Sequence, residues 1–133
     1  QALRAFGRDF GLAFQIVDDV LDLREGTSQI GKPAGNDLRQ GTVTLPTMLY
    51  AAGLRPDSPE AARLRDVVTG DDDGDAALTG LVEDIRRSGA IEQATSVAGE
   101  FLARAKGHLA VVPDPETREL LADLADLQIE RRA

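Results

Sequence analysis

Apolar residues recur along this chain at helical spacing, and no segment keeps a sustained period of two. Residues 2–23 contain no proline and a dense apolar pattern, which predicts one long helix. Residues 24–42 read as a loop, because Gly26, Gly31, Gly35 and Gly41 punctuate them with Pro33 and Asn36 between. Thr44 and Pro46 suit a helix start, and that helix should run to about Gly53. Asp57, Pro59 and Glu60 resemble a capped start for a helix that ends at Gly70. Residues 76–88 put Leu78, Leu81, Val82 and Ile85 on one face and stop at Gly89. Residues 90–112 predict a further helix, ended by Pro113. Asp114 and Pro115 open the last one, in which Leu120, Leu121, Leu124 and Leu127 are expected to form the buried stripe. The pattern predicts an all-α fold.

The first helix carries the chemistry. At 100° per residue, Gln15, Asp18, Asp19 and Asp22 share an arc of about 100°. The remaining positions from Leu12 to Leu23 are apolar without exception, and a helix apolar nearly all round is expected to be buried. Three carboxylates on such a stripe repel one another and lose solvation, which costs several kcal/mol per unpaired charge on full burial. They therefore need water, cations or metal. Asp18 and Asp22 stand one turn apart and can offer two oxygens to one hard cation. Magnesium suits such a pair, since it is typically held by one or two carboxylates plus substrate phosphates. Arg8 and Arg4 extend the stripe toward the N-terminus, two or three turns away. Phe6, Phe10 and Phe14, four residues apart, form a second stripe read as packing between helices.

Composition narrows the function classes. The 133 residues suit a single domain. The net charge of −8 argues against a nucleic-acid partner held by general electrostatics. With no cysteine there is no disulfide scaffold, thiolate zinc site or cysteine nucleophile, and a lone His108 excludes a multi-histidine metal centre. His108 itself reads as a surface or core-edge residue. No apolar run approaches the length of a membrane span. Of 15 basic residues only Lys32 and Lys106 are lysine, and Lys32 sits between Gly31 and Gly35, where the backbone can approach a phosphate closely. The run Asp71-Asp72-Asp73-Gly74-Asp75 is not a calcium loop: with Gly74 at the sixth position, Thr69 and Gly80 would fill the first and twelfth, and neither fits.

The segment Phe14-Gln15-Ile16-Val17-Asp18-Asp19-Val20-Leu21-Asp22 resembles the second aspartate-rich motif, FQxxDDxLD, of the trans-polyprenyl diphosphate synthases. Gly31-Lys32-Pro33-Ala34-Gly35-Asn36-Asp37-Leu38-Arg39-Gln40-Gly41, followed by Thr44-Leu45-Pro46, is similar to that family's next loop. The stretch from Arg87 to Glu92 and the last helix, Arg118 to Arg131, also look like its C-terminal helices. The resemblance thus implies that residues 1–133 are C-terminal helices of the isoprenoid synthase bundle, less than half of one catalytic domain. The first aspartate-rich motif, the arginines that grip isopentenyl diphosphate and the residues that set product length would belong to an absent N-terminal part.

The same resemblance implies the roles. Asp18 would be a direct magnesium ligand, and Asp19 and Asp22 would act mainly through metal-bound water. Gln15 would face the allylic substrate near its diphosphate, which Lys32 would contact directly. Asp37 would support the metal shell or orient a lysine. The implied reaction is magnesium-dependent head-to-tail condensation of isopentenyl diphosphate with an allylic diphosphate, in a cytoplasmic and commonly homodimeric enzyme. Thr42 departs from the pattern, since many members carry a second lysine there. A terpene cyclase of the same fold is disfavoured, because cyclases mix Asn, Ser/Thr and Glu in this motif. A non-catalytic regulatory subunit is disfavoured by the intact Asp18, Asp19, Asp22 and Lys32.

Overall fold

The computed structural model describes residues 1–24 and 34–132. Among the described residues it is built of helices with no strand: α1 (Ala2–Arg24), α2 (Asn36–Arg39), α3 (Leu45–Ala52), α4 (Pro59–Thr69), α5 (Asp75–Arg87), α6 (Ala90–His108) and α7 (Pro115–Glu130), with a 3-10 turn at Leu109–Val111. Local chemistry sets most of these limits. Ser58, one residue after the expected Asp57, caps α4 by accepting the Ala61 N–H at 3.2 Å. Asp114 caps α7 by accepting the Thr117 N–H at 3.2 Å, with Pro115 just inside the helix. The segment expected to be one helix to residue 112 instead tightens to 3-10 geometry after His108, ahead of Pro113. The expected loop 24–42 contains the single helical turn α2.

The chain divides into two compact units: residues 1–18 with 95–133, and residues 19–94. In the unit 19–94, Leu78, Leu81, Val82 and Ile85 on α5 are buried as their spacing predicted, beside Leu38, Tyr50 and Val67. The C-terminal end of α1 is held here by Arg86, whose guanidinium donates to the carbonyls of Leu23 at 2.8 Å and Arg24 at 2.7 Å. These are among the carbonyls a helix end leaves without an internal partner, so a cation there also meets the negative end of the helix dipole.

In the unit formed by residues 1–18 and 95–133, the Phe6, Phe10 and Phe14 rings follow one another at 6.0 and 6.2 Å between centroids, a continuous stripe along α1. Helix α7 corrects one expectation. Leu120, Leu124 and Leu127 are exposed at 58%, 46% and 48%, and Leu121 is half-buried; the residue α7 buries is Ala125. The inward side is the arc of Leu121, Ala122, Ala125 and Ile129, turned by more than about 100° from the leucine stripe. Small residues there let the helix approach its neighbours closely, and the leucines are left facing outward.

The same unit buries one carboxylate. Asp9 is fully buried, and its Oδ2 lies 2.9 Å from His108 Nε2 while its Oδ1 accepts from Arg8 Nε at 3.1 Å. His108 therefore sits at the core edge, as expected, but with a partner that sequence separation hid. The hydrogen bond with His108 holds the Asp9 carboxyl below the usual 3.8, against the upward push of burial and with help from Arg8. A depressed carboxyl contributes stability above its unfolded value and loses it as pH falls through the folded one. Thermal unfolding should thus show wild type ahead of Asp9→Asn at neutral pH, with the gap narrowing below pH 3.8. A gap that stays constant into acid would refute this account of the buried pair.

Candidate functional site

Helix α1 is amphipathic in this chain, not buried all round as its composition suggested. Its buried residues, Ala13, Ile16, Val17, Val20 and Leu23, lie on the side opposite the aspartate stripe, while Leu12 is exposed. Gln15 and Asp18 are exposed, and Asp19 and Asp22 are half-buried. The stripe is thus open on the side where a substrate or an ion could arrive.

The aspartates are not met by solvent alone. Asp18 forms an ion pair with Arg132, from the turn that ends α7, and the same guanidinium lies 4.2 Å from the Phe14 ring centroid. Arg132 stands out in no sequence motif. Nothing local could reveal its partner, because the two residues are 114 positions apart.

Asp22 is fixed differently. Its Oδ2 accepts the backbone N–H of Asp37 at 3.2 Å, and its carbonyl accepts the Gly35 N–H at 2.9 Å. The chain after the loop is therefore stitched back onto α1 at the motif's last carboxylate. Gly35 makes the stitch possible: its φ is 83°, and an added Cβ would stand 2.7 Å from a methyl of Val82. Any side chain there would have to push Val82 aside and hold a left-handed backbone that costs about 1–2 kcal/mol. Asp37 was expected to support the site. Its backbone N–H makes the contact with Asp22, and its carbonyl accepts the Thr42 N–H at 2.8 Å, which turns the chain toward α3. Lys32 lies outside the described residues.

Asp18, Asp19 and Asp22 are hard oxygen donors on one helical face. Among the described residues, no group of three or more His, Cys, Asp or Glu side chains is drawn together to hold an ion unaided. Carboxylate oxygens on one open face are the donors that a hard divalent cation takes, one or two at a time, with other oxygens completing its shell. Elsewhere, Val43, Thr47, Ala51, Leu54, Leu64 and Arg65 line an apolar groove of about 440 Å³ along α3 and α4, which includes none of the aspartates.

Residues 1–85 match the family model described as polyprenyl synthetase. Over 131 residues the chain is 38% identical to nonaprenyl diphosphate synthase of Mycobacterium tuberculosis, covering 98% of this chain and 38% of that protein. It matches the structure of a Caulobacter crescentus polyprenyl synthase, complexed with calcium and isoprenyl diphosphate, with a TM-score of 0.84 at 38% identity, over 99% of this chain and 40% of that one. A decaprenyl diphosphate synthase from Rhodobacter capsulatus matches with a TM-score of 0.86 at 34% identity, over 100% of this chain and 40% of that one. The chain thus spans about two-fifths of the length of each of these relatives.

Proposed function

Because the chain belongs to the polyprenyl synthetase family, we propose that it is the C-terminal part of a trans-polyprenyl diphosphate synthase, which joins isopentenyl diphosphate head-to-tail to an allylic diphosphate. The observation that carries this reading is the open stripe of Asp18, Asp19 and Asp22, with Asp22 pinned by the Asp37 N–H. Asp18 would hold magnesium directly, with Asp19 and Asp22 acting through water, and the ion would supply positive charge where the allylic diphosphate departs. The chain's own part is to place charge and exclude misplacement. Asp22 is held in one orientation by the stitch to Asp37, so it contributes a fixed oxygen at no further ordering cost. Gln15, on the same face, lies one turn from Asp18 and Asp19 and faces the allylic substrate beside its diphosphate. Lys32 contacts that diphosphate as a point charge. The N-terminal part of the enzyme supplies the first aspartate-rich motif and the isopentenyl diphosphate site. The whole enzyme acts in the cytoplasm as a homodimer.

The test is incorporation of labelled isopentenyl diphosphate into allylic primers by the complete enzyme with magnesium. A longer linear prenyl diphosphate is the expected product. Release of a cyclic hydrocarbon, or no incorporation with any primer, would refute the reading. Lys32→Ala should raise the KM for the allylic substrate by about tenfold or more, the worth of one hydrogen bond to a charged group, and leave the isopentenyl KM nearly unchanged. Varying each substrate in turn decides it; equal losses for both would remove Lys32 from the allylic site.

A further inference from the structure

We propose that Arg132 is an internal latch on the aspartate face: the turn that ends α7 supplies the counter-ion that Asp18 holds until a divalent cation displaces it. The proposal rests on the reading of Asp18 as a metal ligand.

Three observations carry it. The guanidinium is ion-paired to Asp18, the first carboxylate of the motif. It is also stacked on the motif's own first residue, Phe14, at 4.2 Å. A planar guanidinium can do both at once, where an ammonium would serve only the charge. The arginine is also delivered by ordered backbone. The N–H of Arg131 donates to the Leu127 carbonyl at 3.0 Å and that of Arg132 to the Ile129 carbonyl at 3.1 Å, so the last turn continues α7. Helix α7 is in turn fastened by Lys106 to Asp126 at 3.0 Å, and the chain entering it by Arg118 to the Val112 carbonyl at 3.2 Å.

The contact is competitive and reversible. The guanidinium holds Oδ1 of the Asp18 carboxylate. A hard cation bound to the same carboxylate would place its charge within a few ångström of the guanidinium, and the two repel. Both side chains remain partly open to water, at 47% for Asp18 and 42% for Arg132, so the arginine can leave without unpacking a core. Metal binding and latching are therefore opposed, and each must weaken the other by the same factor.

Mn²⁺ alone is the probe, titrated into the complete enzyme and followed by the electron paramagnetic resonance of the free ion. Arg132→Ala should bind Mn²⁺ about two- to fivefold more tightly than wild type, the range set by a partly exposed ion pair. Arg131→Ala removes the same charge one residue away, with no ion pair to Asp18, and should leave the affinity nearly unchanged. Asp18→Asn should weaken it. If Asp18→Asn binds Mn²⁺ as well as wild type, the reading of the metal site has failed and the latch falls with it. If Asp18→Asn weakens binding but Arg132→Ala does not tighten it, or Arg131→Ala tightens it equally, the site stands and the latch is overturned.

Discussion

Replacing Asp18 by alanine in the complete enzyme should lower turnover by about a hundred- to a thousandfold, the usual cost of removing one group aimed at developing charge. Asp19→Ala should cost less, since its oxygen is expected to act through water. The structure separates this effect from loss of folding. The Asp18 side chain is 47% exposed and its ion-pair partner, Arg132, is itself 42% exposed. Breaking such a pair costs about 0–1 kcal/mol, too little to unfold a domain. Far-UV circular dichroism of the variant should therefore match wild type while turnover collapses. Near-normal turnover at saturating magnesium would remove Asp18 from the metal site.

The helices were legible because local signals and burial agree. On α5 the period of Leu78, Leu81, Val82 and Ile85 selects the face that the fold buries. On α7 the same reasoning fails. The leucine stripe is real, but packing uses an arc turned by more than about 100° from it, where Ala125 is buried. Periodicity says that a helix has an apolar face; it does not say which arc meets the rest of this chain. Site residues divide in the same way. Asp18, Asp19 and Asp22 share a face because helical spacing alone places them there. The stitch from Asp22 to Gly35 and Asp37 needed the structure, as it depends on a positive φ and on backbone donors that no side-chain pattern reports. The pairs Asp9 with His108 and Asp18 with Arg132 join residues 99 and 114 positions apart, beyond the reach of any local signal.

The exposed α7 stripe leads to the second large effect. Produced by itself, the 133-residue chain should show no measurable isoprenyl transfer and should associate in solution. The inactivity has a chemical cause. On the proposed function, the first aspartate-rich motif and the isopentenyl diphosphate site lie outside these residues, so the reacting groups would not be assembled. The association follows from the surface. Leu120, Leu124 and Leu127 on α7, with Leu3 and Leu12 on α1, are exposed large apolar residues. Apolar area of this kind, when contiguous, marks an interaction surface in a folded protein and drives association when its partner is missing. The relatives matched above are about two and a half times this length. Light scattering on the purified chain should give a mass above the 14.2 kDa of one copy, rising with concentration. Leu120→Glu with Leu124→Glu should return it toward the monomer, because two charges on the stripe oppose its burial. An active monomer would overturn both expectations: the site would be complete within these residues, and the leucine stripe would need no partner.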